Sequence, residues 1–132
     1  MMTLSIQEVL ALTEGELLHG DMLTPFLGYT TDSRLVVPGN LYIPLVGKTH
    51  NGNDFIADVL KQGASWSLIS DLSKIPLEEN LDAKGLIFVE DTALALKKLN
   101  AFSKKSKKPF KYGKGKYFKK IGRKAGAPQK GS

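Results

Sequence analysis

The sequence has no cysteine, which excludes a disulfide framework, a thiolate metal site and a thiol nucleophile. Its two histidines, His19 and His50, lack any partner at metal-ligand spacing, so no metal site is expected. A long apolar run is missing, and the N-terminal stretch carries Glu8, Glu14 and Glu16 in place of a basic leader. On that reading neither a signal peptide nor a membrane span is expected, and a cytoplasmic, monomeric protein is the simplest expectation. Acid is the last absence. Residues 103–132 hold 12 Lys plus Arg against no Asp or Glu, net +12, whereas residues 1–102 hold 7 against 13, net −6. The overall charge of +6 therefore describes neither half.

What is present fits one domain, residues 1–102, followed by a basic low-complexity tail, residues 103–132. Ser5-Ile6-Gln7-Glu8 has the spacing of a capping box and opens a short helix ending near Gly15. Residues 16–20 read as a strand and turn, and residues 26–30 as a second strand. Leu41-Tyr42-Ile43-Pro44-Leu45-Val46 is of strand length, but Pro44 cannot donate to a ladder and demands an edge position or an irregularity. Phe55 to Gln62 is the strongest helical run, with Asn53 or Asp54 placed to cap it and Gly63 to stop it. Trp66 lies in a further strand between small and apolar residues, a setting of core more often than of a stacking platform. Leu86-Ile87-Phe88-Val89 reads as a central strand, and Asp91 or Thr92 caps a last helix reaching Phe102. Strands alternating with helices predict a small α/β sandwich. The polar connection over residues 71–85 shows no clear helix, so a mixed sheet is expected.

The densest polar chemistry lies in residues 30–55, where a polar loop leaves a strand end just before a helix. Unpaired backbone N–H groups at such a place can hold an anion. Gly47-Lys48-Thr49 is not a nucleotide phosphate loop, since that motif needs glycine where Tyr42 stands. Asp32, Ser33 and His50 supply the residue types of a hydrolase triad without a nucleophile elbow, so no catalytic residue is assigned. Taken alone, Asp32-Ser33-Arg34 is also a plain turn, with Asp32 capping its own backbone and Arg34 paired to it.

The opening Leu4-Ser5-Ile6, Thr30-Thr31-Asp32-Ser33-Arg34, then Pro38-Gly39-Asn40-Leu41-Tyr42, an apolar strand into Gly47, and Asn51-Gly52-Asn53-Asp54-Phe55 together resemble the N-terminal domain of the Mur ligases. Those enzymes extend the UDP-linked muramyl peptide precursor in cell wall biogenesis, and so serve cell shape and division. The MurF type, which adds D-alanyl-D-alanine, is the nearer and the MurE type the less near. The resemblance covers residues 3–102 and implies a fragment that recognises the UDP moiety of a UDP-N-acetylmuramoyl peptide. On it, Thr31 and Ser33 match positions that contact uracil and ribose, and Arg34 braces the corner or faces the diphosphate. Lys48, Thr49 and His50, with Asn51 beside them, align with the loop that touches the uridine end. ATP and magnesium belong to the intact family. The central ATPase domain that would bind them has no counterpart in these residues, so this chain carries no cofactor.

The tail interleaves Phe110, Tyr112, Tyr117 and Phe118 with lysines, a composition that binds nucleic acid non-specifically and is otherwise disordered. Affinity of the full chain for single-stranded RNA, followed by fluorescence anisotropy, is expected to reside in residues 103–132 and to fall steeply with salt. Changing those four aromatics to alanine should leave it unaltered. A loss of about 1–3 kcal/mol per stacked base would instead establish a specific stacking arm.

Overall fold

A computed structural model describes residues 4–107, with side chains to Ser103. The described residues 4–101 pack as one compact unit. Of the remaining unit, the described residues 102–107 are the last turns of the final helix. The expectation of a disordered tail over residues 108–132 lies outside the described residues.

Helix α1 (Ile6–Thr13) starts as its sequence dictates. Ser5 Oγ accepts from the Glu8 N–H at 3.1 Å while Glu8 Oε1 accepts from the Ser5 N–H at 2.8 Å, which satisfies two N–H groups that lack partners inside the helix. Glu14 ends it in the left-handed conformation at φ 58°. Strands β1 (Glu16–His19), β2 (Tyr29–Thr30), β3 (Leu41–Tyr42), β4 (Trp66–Ile69) and β5 (Gly85–Phe88) form a single mixed sheet in the order β1-β5-β4-β3-β2. Only β1 runs antiparallel to its neighbour. Helix α2 (Ile56–Gln62) joins β3 to β4, and α3 (Thr92–Lys107) follows β5.

Several expectations are corrected in detail. The central strand is β4, all four of whose residues are buried, and β5 lies one place from the edge. β4 and β5 are parallel even though their connection contains only two 3-10 turns, Leu72–Lys74 and Glu78–Leu81. Leu81 turns into the core and pins that crossover, so no α-helix is required; the mixed character comes from the β1–β5 pair. The strand expected over residues 41–46 lasts only to Tyr42, because the ladder breaks at the proline two residues on. That expected over residues 26–30 is confined to Tyr29–Thr30. The cap ahead of α2 is Asn51, whose Oδ1 accepts from the Asn53 N–H at the start of a 3-10 turn, Gly52–Phe55, that runs into the helix. α3 is capped by Asp91, which accepts from the Leu94 N–H at 3.0 Å. It runs past Phe102 to Lys107, since lysine is a good helix former even without an apolar period.

The strand register puts Tyr42, Ser67, Leu86, Ile69 and Phe88 on one face of the sheet. Ile56, Val59 and Leu60 of α2 complete the core on that face with Val36, Ala64 and Leu81. Ile6 and Val9 of α1 and Ala95 and Leu99 of α3 are the apolar helical residues buried apart from that cluster, and the opposite face buries Leu41, Trp66, Leu68 and Ile87. Tyr29 donates from its hydroxyl to Asn100 Oδ1 at 2.7 Å, tying β2 to α3. Trp66 is wholly buried, as its setting predicts, and its indole N–H donates to the Thr24 carbonyl at 3.0 Å. A Cβ on Gly85 would overlap the six-membered part of the Trp66 ring, so this position is reserved for glycine by space alone.

Gly85→Ala should therefore cost about 1–3 kcal/mol or more through overpacking, read as a lower urea midpoint with an unchanged slope. A neutral substitution would show that Trp66 can shift at no cost.

Candidate functional site

Outside the carboxyl ends of β2 and β3 lies a cleft of about 570 Å³. One wall is the corner after β2, formed by Thr31, Asp32, Ser33 and Arg34. The floor is Tyr42, Leu45 and Gly52, and the far wall is His50 and Phe55. Crevices at strand carboxyl ends are the common ligand position in open α/β sheets, because the loops there diverge from a rigid frame.

The corner is held by its own hydrogen bonds. Asp32 Oδ1 accepts from the backbone N–H of Arg34 at 2.9 Å and from its Nε at 3.0 Å, while Oδ2 accepts from Nη2 at 2.9 Å. This is the self-capped turn with a paired arginine that the sequence allowed. These bonds, the side-chain ones first, hold the Asp32 carboxyl down to about 2. The Arg34 side chain nonetheless remains 86% exposed, so its outer N–H groups still face solvent and the cleft mouth. With its carboxylate engaged by Arg34, Asp32 is not placed to orient His50, which leaves the triad pattern without its third member.

The other side is a tight hairpin. The Gly52 N–H donates to the Leu45 carbonyl and the Gly47 N–H to the His50 carbonyl, each at 2.7 Å, with a bridge between Val46 and Asn51. Lys48 and Thr49 form its exposed tip. Gly52 must be glycine for closeness: a Cβ there would come within 2.8 to 2.9 Å of Leu45 backbone atoms and Pro44 Cα. Tyr42, buried beneath, donates its hydroxyl to the Gly52 carbonyl at 3.0 Å. Burial, and then the charge of Asp32, pushes this phenol up to about 12, so it stays a proton donor. The His50 and Phe55 rings lie 5.8 Å apart at 40°.

Of the seven residues expected to bind substrate, Thr31, Ser33, Arg34 and His50 are brought to the cleft. Lys48, Thr49 and Asn51 are not among its lining residues: the first two project at the hairpin tip, and Asn51 is engaged within the protein. Tyr42, Leu45, Gly52 and Phe55 line it without having been singled out. The available signal was Pro44, which stops the strand and turns the flanking residues toward its open end. The cleft offers hydroxyls, exposed guanidinium N–H groups and aromatic surfaces, a set suited to a polar ligand carrying a flat ring. Among the described residues no group of three His, Asp or Glu side chains could hold a metal ion, and no helix is long and apolar enough to cross a membrane.

No protein-family model matches the chain. Over 69 residues it is 39% identical to the UDP-N-acetylmuramoyl-tripeptide--D-alanyl-D-alanine ligase of Treponema pallidum (strain Nichols), a match covering 52% of this chain and 15% of that protein. Its fold is shared with two crystal structures of MurF from Acinetobacter baumannii. The TM-scores are 0.66 and 0.65, at 23% and 24% identity, each covering 80% of this chain and 22% of the other. The chain thus resembles MurF ligases in sequence and in fold while spanning less than a quarter of their length.

Because folding depresses the Asp32 carboxyl, the corner's contribution to stability is fully present above the ordinary carboxylate value of 3.8 and lost as pH falls toward 2. The side-chain carboxyl resonance of Asp32 should titrate near 2 by NMR. A midpoint near 3.8 would mean that the Arg34 pairing does not persist in solution.

Proposed function

We propose that residues 1–102 form the substrate-recognising N-terminal domain of a MurF-like peptidoglycan-precursor ligase, in which the cleft receives the uridine diphosphate end of a UDP-N-acetylmuramoyl peptide. The observation that carries this reading is the meeting of the Thr31–Arg34 corner with His50 across one cleft, from two segments separated in sequence. In this arrangement the Thr31 and Ser33 hydroxyls donate and accept hydrogen bonds to the nucleoside. The His50 and Phe55 rings offer surface to the base. Arg34 faces the diphosphate with the N–H groups that Asp32 leaves open, and Lys48 at the hairpin tip adds a mobile positive charge to steer the anion.

The reading is of binding and not of catalysis. The resemblance to the Mur ligases implies, for the intact enzymes, a reaction in which ATP would activate a carboxylate for attack by an amine, with magnesium offsetting the charge of the phosphates. These 132 residues contain no ATP loop, so ligase turnover is not expected of this chain by itself. It acts in this reading as a monomeric cytoplasmic module that meets the uridine diphosphate end of the substrate.

Titration of the isotope-labelled chain with UDP should shift the amides of Thr31, Ser33, Lys48, Thr49 and His50, and Arg34→Ala should weaken the response about tenfold through loss of charge-assisted hydrogen bonds. An absence of shifts at millimolar UDP, or shifts confined to residues 103–132, would remove this reading.

A further inference from the structure

We propose that Asn53 is a positioning residue that fixes the His50-bearing hairpin against the end of β4 and so keeps the cleft preformed. The inference rests on the nucleotide reading above for its functional meaning, though not for its geometry.

Asn53 is 2% exposed, yet its side chain is polar and fully used. Oδ1 accepts from the N–H of Ser70 at 3.0 Å and of Asp71 at 3.4 Å. Nδ2 donates to Asn51 Oδ1 at 2.8 Å and to Ser70 Oγ at 3.1 Å. The four bonds join three stretches of chain: the hairpin base, the carboxyl end of β4 and the turn beyond it. Asn51 extends the link, accepting also from the Asn53 N–H and donating from Nδ2 to Asp71 Oδ2 at 3.3 Å. Asp71 is itself fixed by the Ser73 N–H at 3.0 Å and hydroxyl at 2.6 Å.

An apolar residue in the same space would leave the N–H groups of Ser70 and Asp71 without this acceptor, so the amide contributes to stability as well as to placement. What the amide adds is register. Pro44 has taken the chain off the ladder, and besides Asn53 the hairpin is tied to the body by the Tyr42 hydroxyl bond to Gly52, by the Asn51 bond to Asp71 and by its covalent ends. Without Asn53 the N–H of Ser70 is left without this acceptor, Asn51 loses one of its donors, and the wall carrying His50 is free to move from the Thr31–Arg34 corner. A binding site that must order its wall on ligand arrival binds more weakly than one already ordered.

The test is native-state amide hydrogen exchange on the full chain, with UDP affinity measured alongside. In Asn53→Ala, and in Asn51→Ala should the first fail to fold, exchange at the hydrogen-bonded Gly47 and Gly52 amides should rise about tenfold or more while amides of β4 and β5 keep their protection. UDP affinity should fall by a similar factor of about ten. Val9→Ala, in the buried face of α1, serves as the control: it should lower global stability without singling out the hairpin. Uniform loss of protection in the Asn variants, matching Val9→Ala, would overturn the proposal, as would a loosened hairpin with unchanged UDP affinity. Failure of the unsubstituted chain to bind UDP would overturn the nucleotide reading alone, and the exchange pattern would still decide whether Asn53 holds the hairpin.

Discussion

The break in β3 at Pro44 is the constraint on which the rest of the site depends. A strand between two parallel neighbours ordinarily runs on until its hydrogen-bonding partners end, but a residue with no N–H cannot continue the ladder. β3 pairs through only two residues, Leu41 and Tyr42. The chain must then leave the sheet while still above it, and it does so by folding residues 45–52 into a hairpin closed on itself by two 2.7 Å backbone bonds. The space between that hairpin and the corner after β2 is the cleft. Everything that gives the cleft a definite shape is a device for holding one of those two departures in place.

The two walls are held in physically different ways. The corner is half-buried except at the exposed Arg34, and its order is local: a carboxylate bonded to a backbone N–H and a guanidinium two residues away. Ion pairs at such exposure add little to global stability, so the value of this one lies in fixing geometry and in leaving part of a cation available. The hairpin instead is held from below by buried polar groups, Tyr42 and Asn53, each of which would be costly if left unpaired. The corner can adapt to a ligand, whereas the hairpin presents a fixed surface.

How far this could be read in advance depends on whether the signal was local. Ser5 and Glu8, Gly63 after α2, and the self-capped turn at Asp32 all act within a few residues, and each is found in the structure as its spacing predicts. Trp66 was legible as core because its neighbours are small and apolar. The order of the strands was not: that β4 is central and β5 flanked by an antiparallel β1 depends on long-range packing of Leu81 and of the Trp66 ring on Gly85, which no periodicity encodes. Asn53 was misread for the same reason. Its type and place before a helix suggest a cap, but its side chain turns away to the end of β4, seventeen residues on, and leaves the capping to Asn51. Tyr42 stands in a strand-length apolar run and Phe55 opens a helical one; the structure buries the first in the core, packs the second against it, and has both form cleft surface.

The nucleotide-recognising role is a proposal that rests on the likeness to MurF ligases in sequence and on the residues that line the cleft. The most direct measurement is a crystal structure of the chain soaked with UDP. The account predicts electron density between Ser33 and His50, with the base against the far wall, the diphosphate within hydrogen-bonding distance of Arg34, and the hairpin in its unliganded position. Ligand bound elsewhere on the molecule, or a cleft left empty at a concentration that saturates the chain in solution, would contradict it.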